Sequence, residues 1–132
     1  MPPRLFTVGE AREALPEVRR HAERLVASRA DQLAAAARLA EATGVSAGNG
    51  HGPGQALLDE LREALERAEA ELATAFRALD EAGVVVKDVD AGLVDFPSRR
   101  DGEDVFLCWQ VGEPDLSWWH GIEEGFAGRK PI

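Results

Sequence analysis

The chain has one cysteine, no long apolar run and no cluster of basic residues. A single cysteine, Cys108, excludes a disulfide within the chain and fits a reducing compartment. No stretch approaches the roughly 18 consecutive apolar residues of a membrane span, and the residues after Met1 lack the apolar core of a signal peptide. These absences predict a soluble, cytoplasmic protein that does not contact membranes.

Basic residues are also few: 15 Lys and Arg stand against 24 Asp and Glu, which gives a net charge of -9. A nucleic-acid-binding protein neutralises phosphates with clustered cations, and no such cluster occurs here. We therefore expect no nucleic-acid partner. The length of 132 residues fits a single domain over residues 1–132.

A helix is predicted over residues 7–42. Thr7 followed by Glu10 has the spacing of a capping box, which satisfies free backbone N–H groups at a helix start. Pro16 predicts either a kink or a short first helix that ends near Leu15. Apolar or small residues then recur every three or four positions, as on one helical face. They are Val8, Ala11, Leu15, Val18, Ala22, Val26, Ala30, Leu33, Ala37 and Ala40.

Residues 43–54 contain five glycines and one proline, a composition typical of a flexible connector that is often disordered. The segment lacks the GxxxxGK[ST] spacing of a phosphate-binding loop and follows a helix instead of a strand. We interpret His51 as a solvated loop residue.

A second helix is predicted over residues 55–82, with Gly83 at its C-terminal cap. Its apolar positions follow a 3-4 repeat without a break. They are Leu58, Leu61, Leu65, Ala68, Leu72, Ala75, Leu79 and Ala82. The short connector makes the two helices an antiparallel, coiled-coil-like hairpin. At about 1.5 Å per residue the second helix is about 42 Å long, more than a small sheet covers, so we expect homodimerisation through the helices.

Residues 84–120 change to strand-forming types and predict a small antiparallel sheet of three to four strands, followed by a C-terminal tail over residues 121–132. The predicted fold class is α+β. A two-residue turn at Asp101-Gly102 sets Asp95 opposite Cys108. A four-residue turn over residues 112–115 sets Cys108 opposite Trp119, and likewise Trp109 opposite Trp118 and Leu107 opposite His120.

These registers define two faces of the sheet, because opposed residues share a face. The face predicted to pack on the helices holds Val94, Phe96, Val105, Leu107, Trp109, Val111, Leu116, Trp118 and His120. The other face holds Leu93, Asp95, Phe106, Cys108, Gln110, Ser117 and Trp119. Its mixture of acid, thiol and ring predicts a partner or ligand face of Asp95, Cys108 and Trp119. Arg129 is a further candidate for that face, because it could pair with Asp95. The alternatives are a pair with Glu124 or a solvated terminal cation.

His120 with Glu123 and Glu124 is a candidate divalent-metal site, because an imidazole and carboxylates three or four residues later share a helical face. The alternative is a histidine satisfied by a carboxylate or a backbone group. Asp95 and Glu113 are candidates for an acid-base set with His120. The predicted register puts Cys108 and His120 on opposite faces, which favours a structural cysteine.

Several motifs together resemble an uncharacterised prokaryotic family, domain of unknown function 2203. They are Leu5-Phe6-Thr7-Val8, Leu15-Pro16-Glu17, Gly92-Leu93-Val94-Asp95-Phe96-Pro97, Cys108-Trp109, Gly112-Glu113, Trp119-His120 and Gly125-Phe126-Ala127-Gly128-Arg129. The resemblance covers nearly the whole chain. It implies no activity and no catalytic residues, because none is established for the family.

The leading functional hypothesis is a non-enzymatic, oligomeric interaction or scaffold protein that associates with itself through its helices, binds a further protein and needs no cofactor. The alternative is a small metal- or ligand-binding protein or enzyme that uses His120 and nearby carboxylates.

Overall fold

Two long helices precede a five-stranded antiparallel sheet. The computed structural model describes residues 4–49 and 54–132, without the side chains of residues 45–49. The elements are α1 (Val8–Asn49), α2 (Gln55–Glu81), β1 (Val85–Asp88), β2 (Leu93–Arg100), β3 (Glu103–Gln110), β4 (Trp118–Gly121), a 3-10 turn (Phe126–Gly128) and β5 (Lys130–Pro131). The α+β class and the helical hairpin are confirmed, and the predicted strand number of three to four is corrected to five.

The start of α1 is the predicted capping box. The Thr7 N–H donates to Glu10 Oε1 at 2.9 Å, and the Glu10 N–H donates to Thr7 Oγ1 at 3.0 Å. Pro16 lies inside α1 and does not end it. Its missing N–H removes one helical bond, at an exposed position where water can satisfy the Arg12 carbonyl.

The first helix is longer than predicted, since it continues past residue 42 to Asn49. Thr43 turns its hydroxyl back onto the carbonyl of Leu39 at 2.7 Å, so its polar group is satisfied within the helix. A single helical glycine such as Gly44 costs only about 1 kcal/mol, which the preceding ten turns of helix tolerate. Residues 50–53 of the predicted connector, including His51, lie outside the described residues, and its last residue, Gly54, is the N-terminal cap of α2.

The strands follow one another in the order β1-β2-β3-β4-β5. Asp101 and Gly102 form the predicted two-residue turn, with φ angles of 52° and 81°, and Asp95 pairs with Cys108 as predicted. The predicted C-terminal tail, residues 121–132, contains β5, which pairs Lys130 with Trp119 of β4.

The main core lies between the sheet and the adjoining half of the hairpin. It contains Phe6, Ala11, Leu15, Val18, Ala22, Leu25, Ala75, Leu79, Val84, Val94, Phe96, Leu107, Trp109 and Leu116. Phe6 meets Phe96 edge to face, with ring centroids 5.2 Å apart, and the Phe6 N–H donates to the Pro97 carbonyl at 2.7 Å. Among the described residues, neither helix combines the length and the apolar character that a membrane crossing requires.

Candidate functional site

The pairing of β3 with β4 differs by one residue from the predicted register. Cys108 pairs with Trp118, and in the same way Leu107 pairs with Trp119 and Phe106 with His120. Because side chains alternate between faces, a shift of one residue moves every side chain of β4 to the opposite face. The prediction that His120 and Trp118 face the helices is therefore wrong. Both side chains share the face of Asp95 and Cys108.

The register differs from the prediction because the connection between β3 and β4 has seven residues, 111–117, instead of four. Leu116 is 1% exposed and belongs to the main core, and its carbonyl accepts from Arg12 Nη2 of α1 at 3.1 Å. The Pro114 carbonyl accepts from Arg19 Nη2 at 2.6 Å. These contacts with α1 hold the connection in a longer path than a tight turn.

The corrected register brings three chemically reactive side chains together on one face of the sheet. A carboxylate oxygen of Asp95, Sγ of Cys108 and a ring nitrogen of His120 all lie within 4.8 Å of one another. The three side chains come from β2, β3 and β4, and their residues are 1%, 0% and 2% exposed, respectively. Across residues 4–49 and 54–132, no other group of three or more His, Cys, Asp and Glu is close enough to share a metal ion.

Both ring nitrogens of His120 have acceptors nearby. Nε2 lies 3.0 Å from Asp95 Oδ2, and Nδ1 lies 2.8 Å from the Gly121 carbonyl oxygen. The carbonyl can only accept, which assigns a proton to Nδ1. The Gly125 N–H is also 3.3 Å from Nδ1, a longer contact that we take as secondary. A hydrogen bond between Nε2 and Oδ2 then requires a proton on one of these two atoms.

Cys108 is a protonated thiol in this environment. Burial, and secondly the negative charge of Asp95, raises the pKa of the thiol from 9.0 to about 12. A thiol nucleophile needs the opposite shift, because the thiolate is the reactive form. The geometry brings Cys108 and His120 together, contrary to the predicted opposite faces, yet it does not activate the sulfur.

Arg129 anchors the tail beside this cluster. Its Nη2 donates to both carboxylate oxygens of Glu113, at 2.8 and 2.7 Å, and approaches the Cys108 carbonyl at 3.4 Å. The guanidinium carbon lies 5.1 Å from the Trp118 ring centroid and 4.5 Å from that of Phe126. Arg129 thus pairs with Glu113, neither of the two carboxylates considered from sequence.

Trp118 was predicted on the face that packs on the helices, and Glu113 was predicted only as a member of an acid-base set with Asp95 and His120. Glu113 also accepts the Gln110 N–H at 2.7 Å, while its own carbonyl accepts Trp109 Nε1 at 3.0 Å. The sequence signal for Glu113 was the Gly112-Glu113 turn, and its contact with Arg129 is seen only in the structure.

The other predicted site residues lie elsewhere. Trp119 pairs with Leu107 and packs against the main core, with the Lys130 ammonium 4.7 Å from its ring centroid. Glu123 is exposed. Glu124 accepts from Lys130 Nζ at 2.7 Å and from the Gly121 N–H at 2.8 Å, and these two bonds lower the pKa of Glu124 below its ordinary 4.5. The structure therefore unites Asp95, Cys108 and His120, places Arg129 next to them, and directs Trp119, Glu123 and Glu124 away.

Comparison with known proteins gives one finding. A profile of a family of uncharacterised conserved proteins, DUF2203, matches residues 4–132. Comparisons with curated proteins and with solved structures gave no match. Because the matched segment spans nearly the whole sequence, the chain belongs to the DUF2203 family of uncharacterised conserved proteins.

Proposed function

We propose that this protein is a non-enzymatic interaction protein in which a second copy of the chain packs on the outer half of the helical hairpin. The outer half, residues 30–44 of α1 and 55–71 of α2, lies farther along the hairpin than Arg29, which contacts Asp90 between β1 and β2, and than Leu72, which packs against the main core. Its described side chains include only three buried ones, those of Ala35, Leu61 and Ala68. Leu33 is 51% exposed and Leu57 43%. Two helices with so small a shared core gain stability when two more helices cover them.

One face of the outer half carries a shallow groove of about 440 Å³. It is lined by Asp31, Ala34, Ala35, Arg38, Ala64, Arg67, Ala68 and Glu71. Its lining combines four alanines, which leave room for another helix to approach, with four charged side chains. We call this surface the alanine groove.

The charges along the alanine groove indicate what packs there. In α1, Asp31 lies seven residues, or about 10 Å, nearer the sheet than Arg38. Because α2 runs back toward the sheet, Glu71 lies nearer the sheet than Arg67. Both acids are thus at one end of the groove, and both bases lie farther from the sheet.

A two-fold rotation across the groove places the acids of one copy against the bases of the other. Interfaces of this symmetry require a surface that complements itself, and the arrangement of charges meets that requirement. This charge pattern is the observation that carries the proposal. The low exposure of Asp95, Cys108 and His120, 0 to 2%, supports the non-enzymatic part, because a substrate has no direct access to them. A cytoplasmic location, a further protein partner and the exclusion of nucleic acid stay predictions from composition.

Light scattering after size-exclusion chromatography tests the proposal. We expect a mass of twice the 14.3 kDa chain at about 100 µM. Replacing both acids with arginine (D31R/E71R) puts like charges in contact and should give the monomer. Reversing the bases as well (R38E/R67D) should restore the dimer.

The matched control is E69R/D80R, which makes the same charge change in a different groove, one that Leu72 and Phe76 line. It should leave the dimer intact. Circular dichroism checks that each variant stays helical, because Glu71 also lies 3.8 Å from Arg24. A monomeric wild-type protein at this concentration, or equal dissociation of the control, would refute the proposal.

A further inference from the structure

The cluster of Asp95, Cys108 and His120 offers one oxygen, one sulfur and one nitrogen donor within 4.8 Å of one another. Thiolate and imidazole are the donors that zinc and related transition metals prefer, whereas magnesium and calcium prefer oxygen alone. Each donor comes from a different neighbouring strand, which fixes the backbone positions of all three. The set therefore has the chemistry of a transition-metal site.

The orientation of His120 fits this reading. Metal-binding histidines almost always donate their second ring N–H to a carbonyl or a carboxylate, which fixes the tautomer and aims the free nitrogen. Here Nδ1 lies 2.8 Å from the Gly121 carbonyl oxygen, while Nε2 points toward Asp95 and the cluster. The ring is held as it would be for coordination through Nε2.

Asp95 supplies an independent observation. Its residue is 1% exposed, and its Oδ1 atom has no N–H or O–H donor, while the Cys108 thiol is only a weak donor to this carboxylate. A buried carboxylate oxygen with so little compensation is costly and calls for an explanation. A cation bound by a carboxylate oxygen of Asp95, Sγ and Nε2 compensates the charge of that carboxylate and has three protein donors.

We propose that Asp95, Cys108 and His120 bind one divalent transition-metal ion, of which zinc fits best, in a buried site that links β2, β3 and β4, with a water molecule as the fourth ligand. Donors bound to zinc at about 2.0 to 2.3 Å lie about 3.3 to 3.8 Å apart in a tetrahedral site. The three donor atoms lie within 4.8 Å of one another, and small side-chain rotations are enough to bring them to these separations. On binding, the sulfur–metal bond replaces the S–H bond, and the thiol proton and the proton shared by Asp95 and His120 leave to solvent.

Cobalt(II) serves as the probe, added to protein freed of metal by a chelator. We expect one cobalt per chain, with tetrahedral visible bands and a near-ultraviolet charge-transfer band from the thiolate. Zinc should displace the cobalt and bleach both bands. The variant C108S should lose the charge-transfer band, and zinc should raise the melting temperature of the wild-type protein but not that of H120Q.

The matched control is H21Q. His21 Nε2 lies 3.7 Å from Glu17 Oε1 on α1, an imidazole-carboxylate pair outside the proposed site. This variant should keep both bands. The proposal is overturned if the wild-type protein binds neither cobalt nor zinc, if the charge-transfer band survives in C108S, or if H21Q removes it. The cobalt titration of the wild-type protein tests the proposal even if a variant does not fold.

Discussion

His120 Nε2 lies 3.0 Å from Asp95 Oδ2, and this buried contact joins β4 to β2 across the intervening β3. Breaking a buried pair by removing one partner typically costs about 3 to 5 kcal/mol, because the other polar group stays buried without compensation. We expect D95A to lower the free energy of unfolding by about 3 kcal/mol in metal-free protein. Urea denaturation at neutral pH in the presence of a chelator measures the change.

The control for this prediction is D104A, which breaks the exposed contact between Arg99 and Asp104. Those atoms are 3.1 Å apart, nearly as close as the buried pair, but the side chains are 58% and 60% exposed. Exposed pairs contribute about 1 kcal/mol or less. Equal losses in D95A and D104A would show that the buried contact is no stronger than a surface pair.

Cys108 should resist alkylation in the folded, metal-free protein. The residue is 0% exposed, so the reagent cannot reach the sulfur. Burial also raises the pKa of its thiol to about 12, so the reactive thiolate is scarce at pH 8. We expect iodoacetamide to modify the thiol only after the protein unfolds in guanidinium. Mass spectrometry after timed quenching detects the adduct. Rapid modification of the folded protein would contradict both the burial and the direction of the pKa shift.

Gly92 should tolerate alanine less well than Gly102. Both have positive φ, 69° and 81°, so the backbone cost is similar. A Cβ at Gly92 would lie 2.4 Å from Val111 Cγ2 and 2.7 Å from Val26 Cγ2, whereas at Gly102 it meets nothing within 4 Å. We expect G102A to cost about 1 kcal/mol and G92A about 1 to 3 kcal/mol more. Thermal and urea denaturation compare them, and equal losses would refute the steric argument.

The sequence predicted the helices and one strand pairing well because those features are local. The capping box needs only Thr7 and Glu10, three residues apart, and the Asp101-Gly102 turn fixes the pairing of Asp95 with Cys108. The hydrophobic repeat of α2 is equally local. Family membership was also predicted, since it rests on short motifs along the whole chain.

The site depends on contacts between distant residues, and these were not readable from the sequence. The path of residues 111–117 is set by Arg12 and Arg19 of α1, about a hundred positions away in the chain. That path decides on which face His120 lies. The sequence therefore identified the reactive residues, but the assumed four-residue turn placed His120 on the opposite face from Asp95 and Cys108. In the structure all three lie on one face.

Glu10 should make stability depend on pH in acid. Its hydrogen bonds with Thr7, first from the backbone N–H and then with the side chain, lower its pKa below the ordinary 4.5. The unfolded state then binds more protons than the native state near pH 4, so this contribution is present above about pH 4.5 and is lost as pH falls through the folded pKa. Glutamine at this position can still accept the Thr7 N–H but does not titrate. We therefore expect the stability difference between wild type and E10Q to shrink as pH falls from 7 to about 3, measured by urea denaturation at each pH. A difference that stays constant over this range would show that the charge of Glu10 does not contribute to the cap.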